Sequence, residues 1–230
     1  MMTIRPAADR GNTRTDWLDG RHTFSFGDFV DPKYHHFRTL RVLNDDRVAP
    51  GGGFPPHPHR DMEILTCVLA GALEHKDSMG NGSVIRPGEW QYMSAGTGVV
   101  HSEFNPSRTE PVHLLQIWIV PEAKGQMPRY GQQPFPVTPG AWTKIATKDG
   151  RDGSLTIRQD ATVLSTHLRP QGTAAYEFAP GRGGWLHVAT GAVNVNGLAL
   201  KEGDGLAIEG ESRVEVRGVE AGQVVLFDLA

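Results

Sequence analysis

Nowhere in this chain do apolar residues keep a helical period for as many as ten positions. That removes the long amphipathic helix as a building unit and leaves the strand. The apolar material comes in short runs, Ile64 to Leu69, Val112 to Val120, Leu186 to Ala189 and Val224 to Leu229, several of them β-branched. Between such runs stand 28 glycines and 16 prolines, the punctuation of tight turns. The expected fold is all-β, a sandwich or barrel with few helical turns. At 230 residues there is core enough for one large domain or two small ones.

Charge narrows the range of partners. A net charge of -3, with acidic and basic residues interspersed, provides no footprint for nucleic acid or an anionic membrane. No apolar run approaches the length that spans a bilayer. The single cysteine, Cys67, permits no intramolecular disulfide and suits a reducing compartment. Met1 to Arg14 carries charges and no apolar signal core, so a cytoplasmic location is expected.

The two halves of the chain rhyme. Leu65-Thr66-Cys67-Val68-Leu69-Ala70-Gly71-Ala72-Leu73 lies over Trp185-Leu186-His187-Val188-Ala189-Thr190-Gly191-Ala192-Val193, each a strand, a turn glycine and a new strand. Further on, Arg86-Pro87-Gly88-Glu89 answers to Lys201-Glu202-Gly203-Asp204. A repeated pattern in the same order predicts two related β-modules. The boundary falls in the proline-rich stretch from Pro121 to Gly150. The expected division is a first domain over 1–130, a connector over 131–150 and a second domain over 151–230.

Chemistry concentrates in the first module. His57-Pro58-His59 and His101-Ser102-Glu103 each place two donors at i and i+2, on one face of a strand. Three imidazoles and a carboxylate form a donor set for a divalent metal such as iron, copper, nickel, cobalt or zinc. The second half has no such set. Where the first carries the two histidines, the second reads Phe178-Ala179-Pro180-Gly181-Arg182-Gly183-Gly184.

These residues resemble a cupin pair. Gly51, His57-Pro58-His59, Glu63 and Gly71 follow the first cupin motif, and Gly98, His101 and Asn105 follow the second. Arg60-Asp61-Met62-Glu63-Ile64, Gly96-Thr97-Gly98-Val99-Val100-His101-Ser102-Glu103-Phe104 and Arg21-His22-Thr23-Phe24-Ser25-Phe26 look like the pirin family, from about Asp16 to the carboxy terminus. The resemblance implies two cupin barrels, of the double-stranded β-helix or jelly-roll type, packed together. It implies metal ligands at His57, His59, His101 and Glu103, with Glu63 orienting an imidazole from behind. The compact second half looks most like bacterial pirin-like quercetin 2,3-dioxygenases, and the resemblance favours Fe(II).

On that resemblance the protein opens the heterocyclic ring of a flavonol with dioxygen and releases carbon monoxide, Glu103 acting as the catalytic base. Two rivals stand beside it. One is a metal-dependent redox switch that binds a protein partner, as animal pirins are described. The other is a cupin enzyme of different chemistry, because cupins host many reactions. Two fused modules point to a monomer.

The remaining candidates carry plainer expectations. His22, His35, His36, His75, His113, His167 and His187 are expected to be structural or surface residues, with His113 the one placed to line a barrel. Cys67 is expected to be a buried, inert thiol. Gln116 and Trp118 share a strand face, with cavity, core and surface all open to them. Gly51-Gly52-Gly53 lacks the lysine and helix of a phosphate loop and reads as a turn. Phe54, Pro55 and Pro56 form an apolar lip beside the histidines, with Met93 and Phe104 as further wall.

Overall fold

Each apolar run singled out in the sequence forms the body of a strand in the computed structural model, which describes residues 1–230. The first strands in chain order are β1 (Met2–Arg5), β2 (Gly11–Arg14), β3 (Leu18–His22), β4 (Leu40–Val48), β5 (Gly53–His59) and β6 (Glu63–Ala70). Then come β7 (Leu73–Asp77), β8 (Gly82–Ile85), β9 (Glu89–Ser94), β10 (Val99–Phe104), β11 (Val112–Ile119) and β12 (Arg129–Pro134). The second half supplies β13 (Thr143–Thr147), β14 (Leu155–Thr156), β15 (Ala161–Leu168), β16 (Thr173–Glu177) and β17 (Gly183–Val188). It ends with β18 (Ala192–Val195), β19 (Leu198–Lys201), β20 (Gly205–Glu209), β21 (Arg213–Gly218) and β22 (Gly222–Leu229). Two short 3-10 turns, Ala7–Asp9 and Arg151–Gly153, complete the regular structure. No helix is long and apolar enough to cross a membrane.

One compact unit comprises Gly11–His36 and Leu40–Phe135. Its larger sheet runs β12-β9-β6-β11-β4-β3-β2 and its smaller sheet β5-β10-β7-β8. Buried Val48, Val68, Val112 and Leu114 from the larger sheet meet Leu73 and Ile85 from the smaller, so the two sheets share one core. The other unit comprises Met1–Arg10, Phe37–Thr39 and Pro136–Ala230, with sheets β1-β20-β17-β22-β15-β13-β14 and β16-β21-β18-β19. Both are cupin barrels.

The repeat is topological as well as verbal. Strands β4 to β11 build the first barrel in the same pairing order in which β15 to β22 build the second. Both turn glycines of the repeat have the same backbone reason. Gly71 (φ 77°) and Gly191 (φ 78°) are left-handed, and a Cβ there would sit 2.6 Å from Pro111 O and 2.5 Å from Ala221 O.

The unbroken run in β11 lies between β4 and β6 and is buried along most of its length, whereas β21, between β16 and β18, alternates buried and exposed residues because one face of its sheet meets solvent.

Two domain boundaries depart from those expected. The amino-terminal strand β1 belongs to the second unit, because Met2 to Arg5 pair with Ile208 to Gly205 on β20. The expected connector over 131–150 carries strand at both ends of the stretch. β12 closes the first unit's sheet against β9, and β13 pairs with β15 in the second. Backbone pairing decides both cases, and local composition carries no trace of it.

Candidate metal centre

Strand β10 is the axis of the site, because it lies between β5 and β7 in the smaller sheet. On one side Val99 faces His59 and His101 faces His57; on the other His101 faces Asp77 and Glu103 faces His75. The pleat then aims His57, His59, His101 and Glu103 to one side, as the i, i+2 spacing predicts. A register shift between His101 and Glu103 marks a β-bulge against β5, a device that re-aims side chains.

The three imidazoles converge. Their ring centroids lie 4.8 Å apart for His57–His59, 4.4 Å for His57–His101 and 4.8 Å for His59–His101. His57 donates from Nδ1 to Pro55 O at 2.8 Å, which leaves its Nε2 with a lone pair. Nε2 of His101 is buried and meets no hydrogen-bond partner. Burial, then the neighbouring charge of His57, pulls the His59 pKa down to about 4. Burial and the charges of His57, His59 and His75 pull His101 down to about 2. Both shifts keep His59 and His101 neutral, the state in which imidazole binds a metal.

Glu103 is buried beside them, 2 % exposed. Its carboxylate accepts both hydrogen bonds of one amide, from Gln116 Nε2 at 3.0 and 2.9 Å. Thr66 donates its hydroxyl to Gln116 Oε1 at 3.0 Å, which turns the amide so that its hydrogens face the carboxylate. Burial raises the Glu103 pKa to about 7, although the Gln116 hydrogen bond works against the shift. Glu103 groups with His101 and His75, with one donor atom from each within 4.8 Å of the others, and His57, His59 and His101 form a second such group. His101 belongs to both.

His75 is the residue that sequence reasoning passes over. It is fully buried, its Nε2 lies 3.2 Å from Asp77 Oδ2, and its Nδ1 lies 3.4 Å from His101 Nδ1. Gln91 Nε2 approaches the same Nδ1 at 3.2 Å, and the Tyr130 ring stacks on the imidazole at 5.1 Å. Burial lowers the His75 pKa against the opposing pull of Asp77. Burial works to raise Asp77, but hydrogen bonds from Asn81, His75 and the backbone of Asn81 and Met79 outweigh it and leave it low. The available signal was the i, i+2 spacing of His75 and Asp77, the same that picks out the ligand pairs.

Above the histidines opens a cavity of about 220 Å³. Leu18, Phe26, Phe54 and Trp118 give it apolar walls, and Thr13, His22 and Asn44 give it a polar side. Phe26 and Trp118 meet edge to face at 5.6 Å, and Trp118 meets His59 the same way at 4.8 Å. His22 is tied on both nitrogens, to Asn44 Oδ1 and Thr13 Oγ1, each at 2.9 Å. The cavity thus resolves Gln116 and Trp118, both of which line it, and adds Thr13, His22, Phe26 and Asn44.

Other expectations divide. Phe54 stands at the cavity, whereas Met93 packs with Ile64 and Val99 in the core. Glu63 accepts hydrogen bonds from the Tyr92 and Ser94 hydroxyls, each at 2.5 Å. His113 lies 2.7 Å from Asp45 Oδ1. Cys67 is buried and reduced.

Comparison with known proteins follows this geometry closely. The Pirin family profile matches residues 4–119, and that of the quercetinase C-terminal cupin domain matches residues 144–229. The chain belongs to the pirin family. Within it, the chain is 45 % identical over 229 residues to the quercetin 2,3-dioxygenase of Escherichia coli K12, covering 100 % of this chain and 99 % of that one. A pirin-like protein of Caulobacter vibrioides is 40 % identical, with both chains covered completely. The crystal structure of the E. coli bacterial pirin YhhW in complex with nickel(II) superposes with a TM-score of 0.95 at 45 % identity, over 100 % of this chain and 99 % of that chain.

Proposed function

We propose that this pirin is a metal-dependent dioxygenase that opens the heterocyclic ring of flavonols such as quercetin and releases carbon monoxide. His57, His59, His101 and Glu103 would hold one divalent metal, with Fe(II) favoured by the family resemblance. The observation that carries the reading is the convergence of three imidazoles, one with a buried, unpartnered Nε2, beside a buried carboxylate. Such atoms are costly to bury without a partner, and a cation satisfies them together. Support also comes from the E. coli relatives, one named for quercetin dioxygenation and one crystallised with nickel(II).

When bound, the metal supplies Lewis-acid and redox chemistry for a substrate oxygen and dioxygen. The residues of the chain do the rest. Glu103, buried beside the imidazoles with both carboxylate oxygens held by the Gln116 amide, is placed to take the proton of a flavonol hydroxyl. Gln116 holds that carboxylate in place, and Phe26, Phe54 and Trp118 supply flat apolar walls that exclude water around an aromatic ring. At about 220 Å³ the cavity encloses less than a whole drug-sized ligand fills (about 300–1,000 Å³), so it seats the reacting ring and leaves the remainder at the mouth.

Anaerobic purification with metal analysis, followed by oxygen uptake and carbon monoxide detection over a panel of flavonols, tests the proposal. Metal-dependent uptake with stoichiometric carbon monoxide is expected. If metal-loaded protein turns over no flavonol and Glu103→Gln changes nothing, the enzymatic reading fails. Partner capture that varies with metal oxidation state would then establish the regulatory alternative.

A further inference from the structure

We propose that Asp77 and His75 form a positioning relay that fixes which nitrogen of His101 carries the proton, so that Nε2 is presented as a bare lone pair. The inference rests on reading the three imidazoles as ligands, and it assigns a task to two residues outside that set.

The argument follows donors and acceptors along the chain of contacts. Asp77 Oδ1 receives the backbone N–H groups of Met79 and Asn81, at 2.9 and 3.0 Å, and the Asn81 side-chain Nδ2 bridges Oδ1 at 3.1 Å and Oδ2 at 2.9 Å. The carboxylate is therefore locked in orientation, with Oδ2 directed at His75 Nε2, 3.2 Å away. A carboxylate only accepts, so His75 carries its proton on Nε2. The Gln91 amide nitrogen, 3.2 Å from His75 Nδ1, donates to it, so His75 Nδ1 is an acceptor. His101 Nδ1 faces that acceptor at 3.4 Å and supplies the hydrogen. His101 is then protonated on Nδ1, and its lone pair sits on Nε2, the buried atom that finds no partner in the protein. Partners behind a ligating imidazole fix its tautomer and direction in this way. Tyr130 stacked on His75 holds the relay ring in plane.

Asp77→Asn makes a sharp test because it keeps the shape and reverses the polarity. The backbone N–H groups of Met79 and Asn81 demand the amide oxygen, so the NH₂ is turned toward His75. That would move the His75 proton to Nδ1 and the His101 proton to Nε2. Long-range proton–nitrogen NMR on the full-length, metal-free protein reads the tautomer directly, and titration with nickel(II) reads the affinity.

The expected result is an Nδ1-protonated His101 in the wild type, an Nε2-protonated His101 in Asp77→Asn, and nickel(II) binding weakened by roughly 10–100-fold. An Nε2-protonated His101 in the wild type, or a tautomer indifferent to Asp77→Asn, overturns the relay whatever nickel does. Failure of the wild type to bind nickel(II) would instead sink the metal reading, and the tautomer arm still decides the relay.

Because Asp77 also organises its turn, a second pair guards against loss of folding. His75→Leu and His75→Gln both remove the stacked ring, but only the second retains an acceptor. Nickel affinity should fall with His75→Leu and recover substantially with His75→Gln. Equal affinities for the two would overturn the relay.

Discussion

Two strands in equivalent positions, β10 and β21, show how one scaffold yields two kinds of interior. The repeat lays Leu73 over Val193, which sets His75 against Val195. On the neighbouring strand Glu103 pairs with His75 just as Val216 pairs with Val195, so Glu103 answers to Val216 and His101 to Val214. In the second unit Val195, Val214 and Val216 merge into a continuous core with Leu164, Leu186, Val188, Leu206 and Leu226. In the first, the same inward positions carry polar donors, and apolar packing withdraws into separate clusters on either side. Both barrels need the strand pairing. Only the one that gives up apolar burial at its centre gains a place for chemistry.

The comparison can be broken most forcefully at His101. His101→Val installs the residue type of the equivalent position and should leave metal below detection with activity lost, while the chain still folds. Metal analysis and circular dichroism together check this, and retained metal would show that His101 is not a ligand. Next in size is Glu103→Gln, which keeps the Gln116 contact region filled but removes the base. A fall in kcat of roughly 10²–10⁴ is expected with metal content largely kept.

On the other side of the comparison, Leu226→Ala opens a hole in the second core. It should cost about 2–5 kcal/mol in denaturant unfolding and leave metal affinity unchanged. Coupled loss of metal would mean that the two interiors are not independent.

The smallest effect is in pH. In metal-free protein the Glu103 pKa is raised to about 7 by burial, so the fold holds a proton that the unfolded chain releases from about 4.5 upward. Its contribution to stability is complete below the unfolded value and is lost as pH rises through 7. Thermal unfolding of Glu103→Gln relative to wild type, both metal-free, should therefore improve between pH 4.5 and 7 and then level off. A difference that does not vary with pH would remove the raised carboxyl from the account.

The convergence of donors within each of the two pairs was legible in the sequence because two donors at i and i+2 on a strand must share a face, whatever the strand pairs with. The strand, turn glycine and strand of the repeat were legible because Gly71 and Gly191 answer the same steric demand; that the repeat extends to eight strands is set by their pairing. His75 and Asp77 have the same i, i+2 spacing yet read as bland, since their role depends on β7 lying beside β10. Strand order is a long-range property, and one sequence carries it only faintly. The same limit hid Thr13, His22 and Phe26, which reach the cavity from strands and turns distant in sequence. Conversely, Glu63 was expected behind an imidazole, but its neighbours along β9, Tyr92 and Ser94, supply hydroxyls to it.

The pairing of β1 with β20 has a consequence for how the molecule is made. Arg5 lies opposite Gly205, so a strand is synthesised some 200 residues before its partner. At about 5–20 residues per second the intervening chain takes roughly 10–40 s to synthesise. During that time the exposed backbone of Met2 to Arg5 and the barrel around the histidines are present without the second sheet. An early strand with unsatisfied N–H and C=O groups is a target for wrong pairing. Assembly of the second barrel is thus a late step, in which β1 is sewn to β20.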